Sequence, residues 1–119
     1  MKSFKSIYDL EGETICTVAF VCDYVEFYFG WDFPILRCIA NPVVIISANE
    51  VHFPNAGSRD ALCETIGHTI DVINVDKLTN MQIVLDNKCK IVIPLNEPDL
   101  YSGESVHFVP HRGGEVEVW

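Results

Sequence analysis

The stretch Met81-Gln-Ile-Val-Leu-Asp-Asn-Lys-Cys-Lys-Ile-Val-Ile93 constrains this chain more than any other. Two β-branched runs, Met81–Leu85 and Cys89–Ile93, flank Asp86-Asn87-Lys88. Strand side chains alternate between faces, and Asp and Asn tolerate the left-handed backbone of a tight turn. The segment therefore predicts a β-hairpin.

The same grammar recurs along the chain. Thr14–Val21 reads as a strand that turns near Cys22-Asp23 into Tyr24–Phe29. In that second run Val25, Phe27 and Phe29 face one way, and Tyr24, Glu26 and Tyr28 the other, until Gly30 breaks it. Pro34–Ala40 and Val43–Ala48 are expected to follow around an Asn41-Pro42 turn, giving four strands in one antiparallel meander. Thr69–Val75 is a further strand. Val106–Val109 and Glu115–Trp119 flank His111-Arg-Gly-Gly114, which predicts a terminal hairpin whose outward Glu115 and Glu117 protect its edge.

One helix is expected, over Ser58–Ile66, with Ser58 as N-cap and Gly67 as the stop. Leu62, Cys63 and Ile66 are its candidate buried face. So short a helix must be stabilised by packing. The predicted class is α+β: mostly antiparallel sheet, about eight strands, with one short helix packed on it. No linker or repeat interrupts residues 1–119, so one domain is expected.

Composition narrows the function. The chain carries 17 acidic and 8 basic residues, a net of −9. That charge repels nucleic acid and anionic membrane and attracts cationic partners. The five cysteines, Cys16, Cys22, Cys38, Cys63 and Cys89, are odd in number and irregularly spaced, which argues against a secreted disulfide framework. No signal core or membrane span is read from the sequence. A reduced cytoplasmic protein is expected, with its cysteines serving as small buried side chains.

No catalytic or metal-binding motif assembles from the sequence. His107 and His111 have i, i+4 spacing, but on a strand such residues lie about 13 Å apart, and no motif supplies further zinc ligands. Cys63 and His68 as nucleophile and base are separated by Gly67, and Glu64 beside Cys63 disfavours a thiolate. Gly113-Gly114 precedes no helix and cradles no phosphate. Neither an enzyme nor a cofactor is expected.

Recognition is the remaining signal. Between Lys5 and Arg37 there is no Lys or Arg, yet six acids and eight aromatic rings fall there. Carboxylates steer a basic partner, and desolvated rings anchor it. About half of those rings are expected in the core. The subset assigned to contact is Tyr24, Glu26, Tyr28, Trp31 and Asp32, with a second group, Glu97, Asp99, Tyr101 and Glu104, in the loop after the hairpin.

The second half also resembles a known family. Leu62-Cys-Glu-Thr-Ile-Gly67, the strand with Ile70 and Val72, the Met81–Ile93 hairpin, Tyr101-Ser-Gly-Glu-Ser105 and the valine-rich strand ending in Trp119 are similar to small bacterial immunity-protein domains of polymorphic or contact-dependent toxin systems. Asp86-Asn87 stands where that pattern has Asp-Gly, and Gly103-Glu104 where it has Gly-Pro-Glu. The resemblance implies stoichiometric occlusion of a cognate basic toxin, commonly a nuclease. It transfers no binding residue. The alternatives are a small-ligand module whose pocket is walled by Phe27, Phe29 and Trp31, or a subunit that self-associates through sheet edges.

Overall fold

The computed structural model describes residues 3–96 and 104–119. Among these residues the alternating runs become ten strands, numbered in chain order and shared between two antiparallel sheets, with one short α-helix. The predicted class is therefore what the chain adopts. β1 (Thr17–Val21), β2 (Tyr24–Tyr28) and β3 (Ile35–Cys38) form a meander. The first sheet is completed by β9 (Val106–Val109) and β10 (Glu117–Val118), in the order β1-β2-β3-β9-β10.

The expected fourth strand of that meander is elsewhere. β4 (Val43–Ile46) lies in the second sheet with β5 (Asn49–His52), β6 (Ile70–Asp76), β7 (Asn80–Leu85) and β8 (Lys90–Pro94), in the order β5-β4-β8-β7-β6. The chain crosses between sheets at Ile39–Pro42. Ile39 and Ala40 both donate their N–H to the Ser105 carbonyl, and Pro42 has no N–H with which to extend a ladder. β9 takes the free edge of β3 instead, pairing Leu36 with Phe108 and Cys38 with Val106. The run expected over Val43–Ala48 ends early because Ser47 adopts φ 57°, turning the chain into β5.

The hairpin at Asp86–Lys88 is present, joining β7 to β8. Its left-handed residue is Lys88 at φ 71°, rather than Asp86 or Asn87. Lys88 donates its N–H to the Leu85 carbonyl, and Asn87 Oδ1 accepts the N–H of Cys89. The turn residues thus work through their side chains as well as their backbone.

Inward rows of both sheets merge into one core. Phe27, Leu36 and Phe108 from the first sheet join Met81, Ile83, Leu85 and Ile91 from the second, all at 0–1% exposure. Each such side chain contributes about 1.5–3 kcal/mol on burial. A 3-10 helix, Ile7–Leu10, inserts Ile7 and Leu10 into the same core. Carboxylates hold it in place: Asp9 accepts the N–H of Ser6, Glu117 that of Ile7, and Glu11 that of Ile73 on β6. Glu117 is therefore committed inward, not displayed along an edge.

The helix α1 (Ser58–Cys63) is shorter than expected. Its N-cap is Gly57, and Ser58 sits fully buried with its hydroxyl unpartnered among the described residues. The buried face is Ser58, Ala61, Leu62 and Thr65, at i, i+3, i+4 and i+7, so Cys63 and Ile66 point outward. Turns carry the chain on to Gly67, whose φ of 91° and N–H bond to the Ile15 carbonyl end the segment. Arg59 fixes α1 to the first sheet, its guanidinium 5.7 Å from the Phe20 ring and 5.2 Å from that of Phe53.

The expectation for the cysteines fails in part. Cys38 is buried, but Cys16, Cys22 and Cys63 are exposed and Cys89 is intermediate. Among the described residues no helix is long and apolar enough to cross a membrane.

Candidate functional site

The outer face of the first sheet gathers most of the described residues assigned to recognition. Antiparallel register aligns Ala19, Glu26, Arg37, His107 and Val118 across all five strands. Glu26 Oε2 accepts a charge-assisted hydrogen bond from Arg37 Nε at 2.7 Å. Its other oxygen accepts the Tyr28 hydroxyl at 2.8 Å. The Tyr24 ring lies 5.7 Å from the same guanidinium. Tyr24, Glu26 and Tyr28 therefore converge on Arg37, a residue sequence reasoning left out because its partnership exists only through strand pairing.

That geometry corrects the part given to Glu26. Expected at the surface, it is 5% exposed, and its charge is spent internally. Tyr28 feels the consequence: its hydrogen bond to the Glu26 carboxylate, then partial burial, raise the phenol above its ordinary pKa. Glu104 continues the ladder, its Oε2 lying 2.6 Å from His107 Nε2. His107 is thus drawn into a carboxylate contact. Among the described residues no cluster of three His, Cys, Asp or Glu side chains is arranged to hold a metal ion.

Trp31 is the most exposed aromatic ring among the described residues. It is 98% exposed, with Asp32 exposed beside it in the loop between β2 and β3. Gly30 sets that loop, because a Cβ there would meet the Phe33 carbonyl oxygen at 2.7 Å. A full Trp surface in water is costly to leave uncovered. Phe27 and Phe29, by contrast, are buried, so Phe27, Phe29 and Trp31 do not wall a common pocket. Glu97, Asp99 and Tyr101 lie outside the described residues.

The Trp31 loop shares one end of the molecule with a second polar group. Cys16 donates its N–H to the Tyr28 carbonyl, Ile15 to that of His68, and Asp86 to that of Thr69. These bonds bring the loop after Tyr28, the segment around His68 and the β7–β8 turn to the same end. There His68 Nδ1 lies 2.7 Å from Asp86 Oδ1, so its partner is Asp86 while Cys63 is exposed on α1. The hydrogen bond to His68, followed by the N–H of Thr69, holds the Asp86 carboxyl below its ordinary pKa. No signal in the sequence joined residues 68 and 86; only the pairing of β6 with β7 does.

Among the described residues the surface offers an exposed ring, half-buried tyrosines on β2, and exposed acids in the turns that flank that strand. No family model, curated protein or solved structure matches this chain.

Proposed function

We propose that this chain is an immunity-type protein that neutralises a cognate basic toxin domain by occlusion. The single observation that carries the reading is Trp31, 98% exposed in the loop between β2 and β3. Such a ring is a hot spot awaiting a pocket. Exposed Asp23 and Asp32 lie at the two ends of β2, and the chain's net charge of −9 steers a cationic domain toward them. Tyr24 and Tyr28, stiffened by Arg37 and Glu26, add contact area at low entropic cost. The sequence resemblance to immunity proteins supports the same reading.

The test is complex formation with candidate basic toxin domains, followed by calorimetry. Trp31→Ala is expected to weaken that complex about 30-fold, the effect of an average hot spot. Asp23→Lys with Asp32→Lys should slow association, most strongly at low salt. Wild-type affinity in Trp31→Ala sinks the proposed surface; no complex at all sinks the function.

A further inference from the structure

A cavity of about 330 Å³ opens between α1 and the second sheet, at the same end as His68. Its lining changes character with depth. Val44, Ala61 and Leu85 are buried at 0–7% exposure and form an aliphatic floor. Glu64, His68 and Asn87 stand at the exposed rim.

The hydrogen-bond network fixes what the rim presents. Asn87 Nδ2 lies 3.5 Å from His68 Nε2, and an amide nitrogen only donates. His68 Nδ1 lies 2.7 Å from Asp86 Oδ1, so both ring nitrogens already face polar partners. Glu64 adds a carboxylate. Among the described residues neither Lys nor Arg lines the cavity. An aliphatic floor under a rim that carries the Glu64 carboxylate selects a ligand with an apolar stem and a positively charged donor head, because stem and head are each then matched.

We propose that this cavity binds a primary alkylammonium group, carried by a free amine or by a lysine side chain of a polypeptide. The site does not depend on the Trp31 surface or on the toxin-neutralising reading. An anion is disfavoured by Glu64 and by the Asp86 carboxylate behind His68. A purely apolar ligand leaves the Glu64 carboxylate unmatched.

The experiment is a titration of isotope-labelled protein, followed by amide chemical shifts, with three probes. They are n-pentylammonium, its neutral counterpart n-pentanol, and lysine capped as its N-acetyl methylamide. Pentylammonium should bind saturably and move the amides of Thr65, His68, Asn87 and Cys89, with pentanol about tenfold weaker. Glu64→Gln, a change at an exposed position, should weaken pentylammonium about threefold and leave pentanol unaffected. Saturable binding of the capped lysine as well assigns the site to polypeptide side chains; binding of pentylammonium alone assigns it to free amines. Equal affinity for pentanol, shifts scattered over the acidic surface, or an unaltered affinity in Glu64→Gln would overturn the proposal. None of these readouts uses a protein partner, so failure here leaves the occlusion test standing.

Discussion

Arg37 and Glu26 face each other across β2 and β3 with Nε and Oε2 2.7 Å apart, on a sheet face that otherwise meets solvent. The carboxylate side chain is 6% exposed and the guanidinium side chain 31%. Removing the cation alone strands a nearly buried charge, whereas removing both leaves none. Arg37→Met is therefore expected to lower unfolding stability by about 2 kcal/mol, less than a fully buried pair loses because water still reaches the guanidinium. The double variant Glu26→Gln, Arg37→Met should recover part of that loss in a urea denaturation cycle. Equal losses in the single and double variants would show that Glu26 is not stranded.

Tyr28 reports on the same carboxylate. Its phenol donates to Glu26, and ionisation would set a phenolate against a carboxylate, so its pKa is raised. A raised folded-state value means the contribution to stability is fully present below the unfolded value of about 10, and is lost as pH rises through the folded one. In an ultraviolet titration, the difference between the native protein and Tyr28→Phe should place this phenol later than an ordinary tyrosine. Glu26→Gln should bring it back down. An ordinary value in the native protein would mean the hydroxyl points elsewhere.

The cysteines separate by depth. Cys16, Cys22 and Cys63 are exposed, Cys89 is partly covered, and Cys38, the last residue of β3, is fully buried. Burial, with Glu26 adding, pushes the Cys38 thiol far above its ordinary range. A disulfide reagent at neutral pH is expected to modify three thiols quickly, Cys89 slowly, and Cys38 only after denaturant is added. Rapid reaction of all five would contradict this packing.

How much of this was legible from the chain depends on sequence distance. The β7–β8 hairpin was readable because Met81, Ile83 and Leu85 keep one parity, as do Ile91 and Ile93, and the turn between them is local. The transfer of β4 to the second sheet was not, since it depends on β9 claiming the edge of β3 from about 70 residues away. The alternation of Tyr24, Glu26 and Tyr28 was correctly assigned to one face, yet Glu26 lost its exposure to Arg37 through register alone. On α1 the inward face is built from Ser58, Ala61 and Thr65 around Leu62, residues too small or polar to raise a hydrophobic signal. Cys63 and Ile66, being more apolar, drew the assignment to the wrong side. Trp31 was selected as a contact residue on composition, and its exposure could be learned only from the turn that Gly30 permits.

Asp86 joins the turn chemistry to the rim of the alkylammonium cavity, and its protonation offers a direct measurement. Its carboxylate accepts from His68, from the N–H of Thr69 and from that of Asn87, and together these outweigh the opposing effect of burial and depress its pKa. A depressed folded-state value means stability is gained above the unfolded carboxyl value of about 3.9, and is lost as pH falls through the lower folded value. Melting temperatures of the native protein and Asp86→Asn should then differ most above about pH 5 and converge as the solution is acidified below about pH 4. Parallel melting curves for the two proteins across the whole range would mean that Asp86 carries no folded-state interaction, and the orientation of His68 at the cavity rim would need another cause.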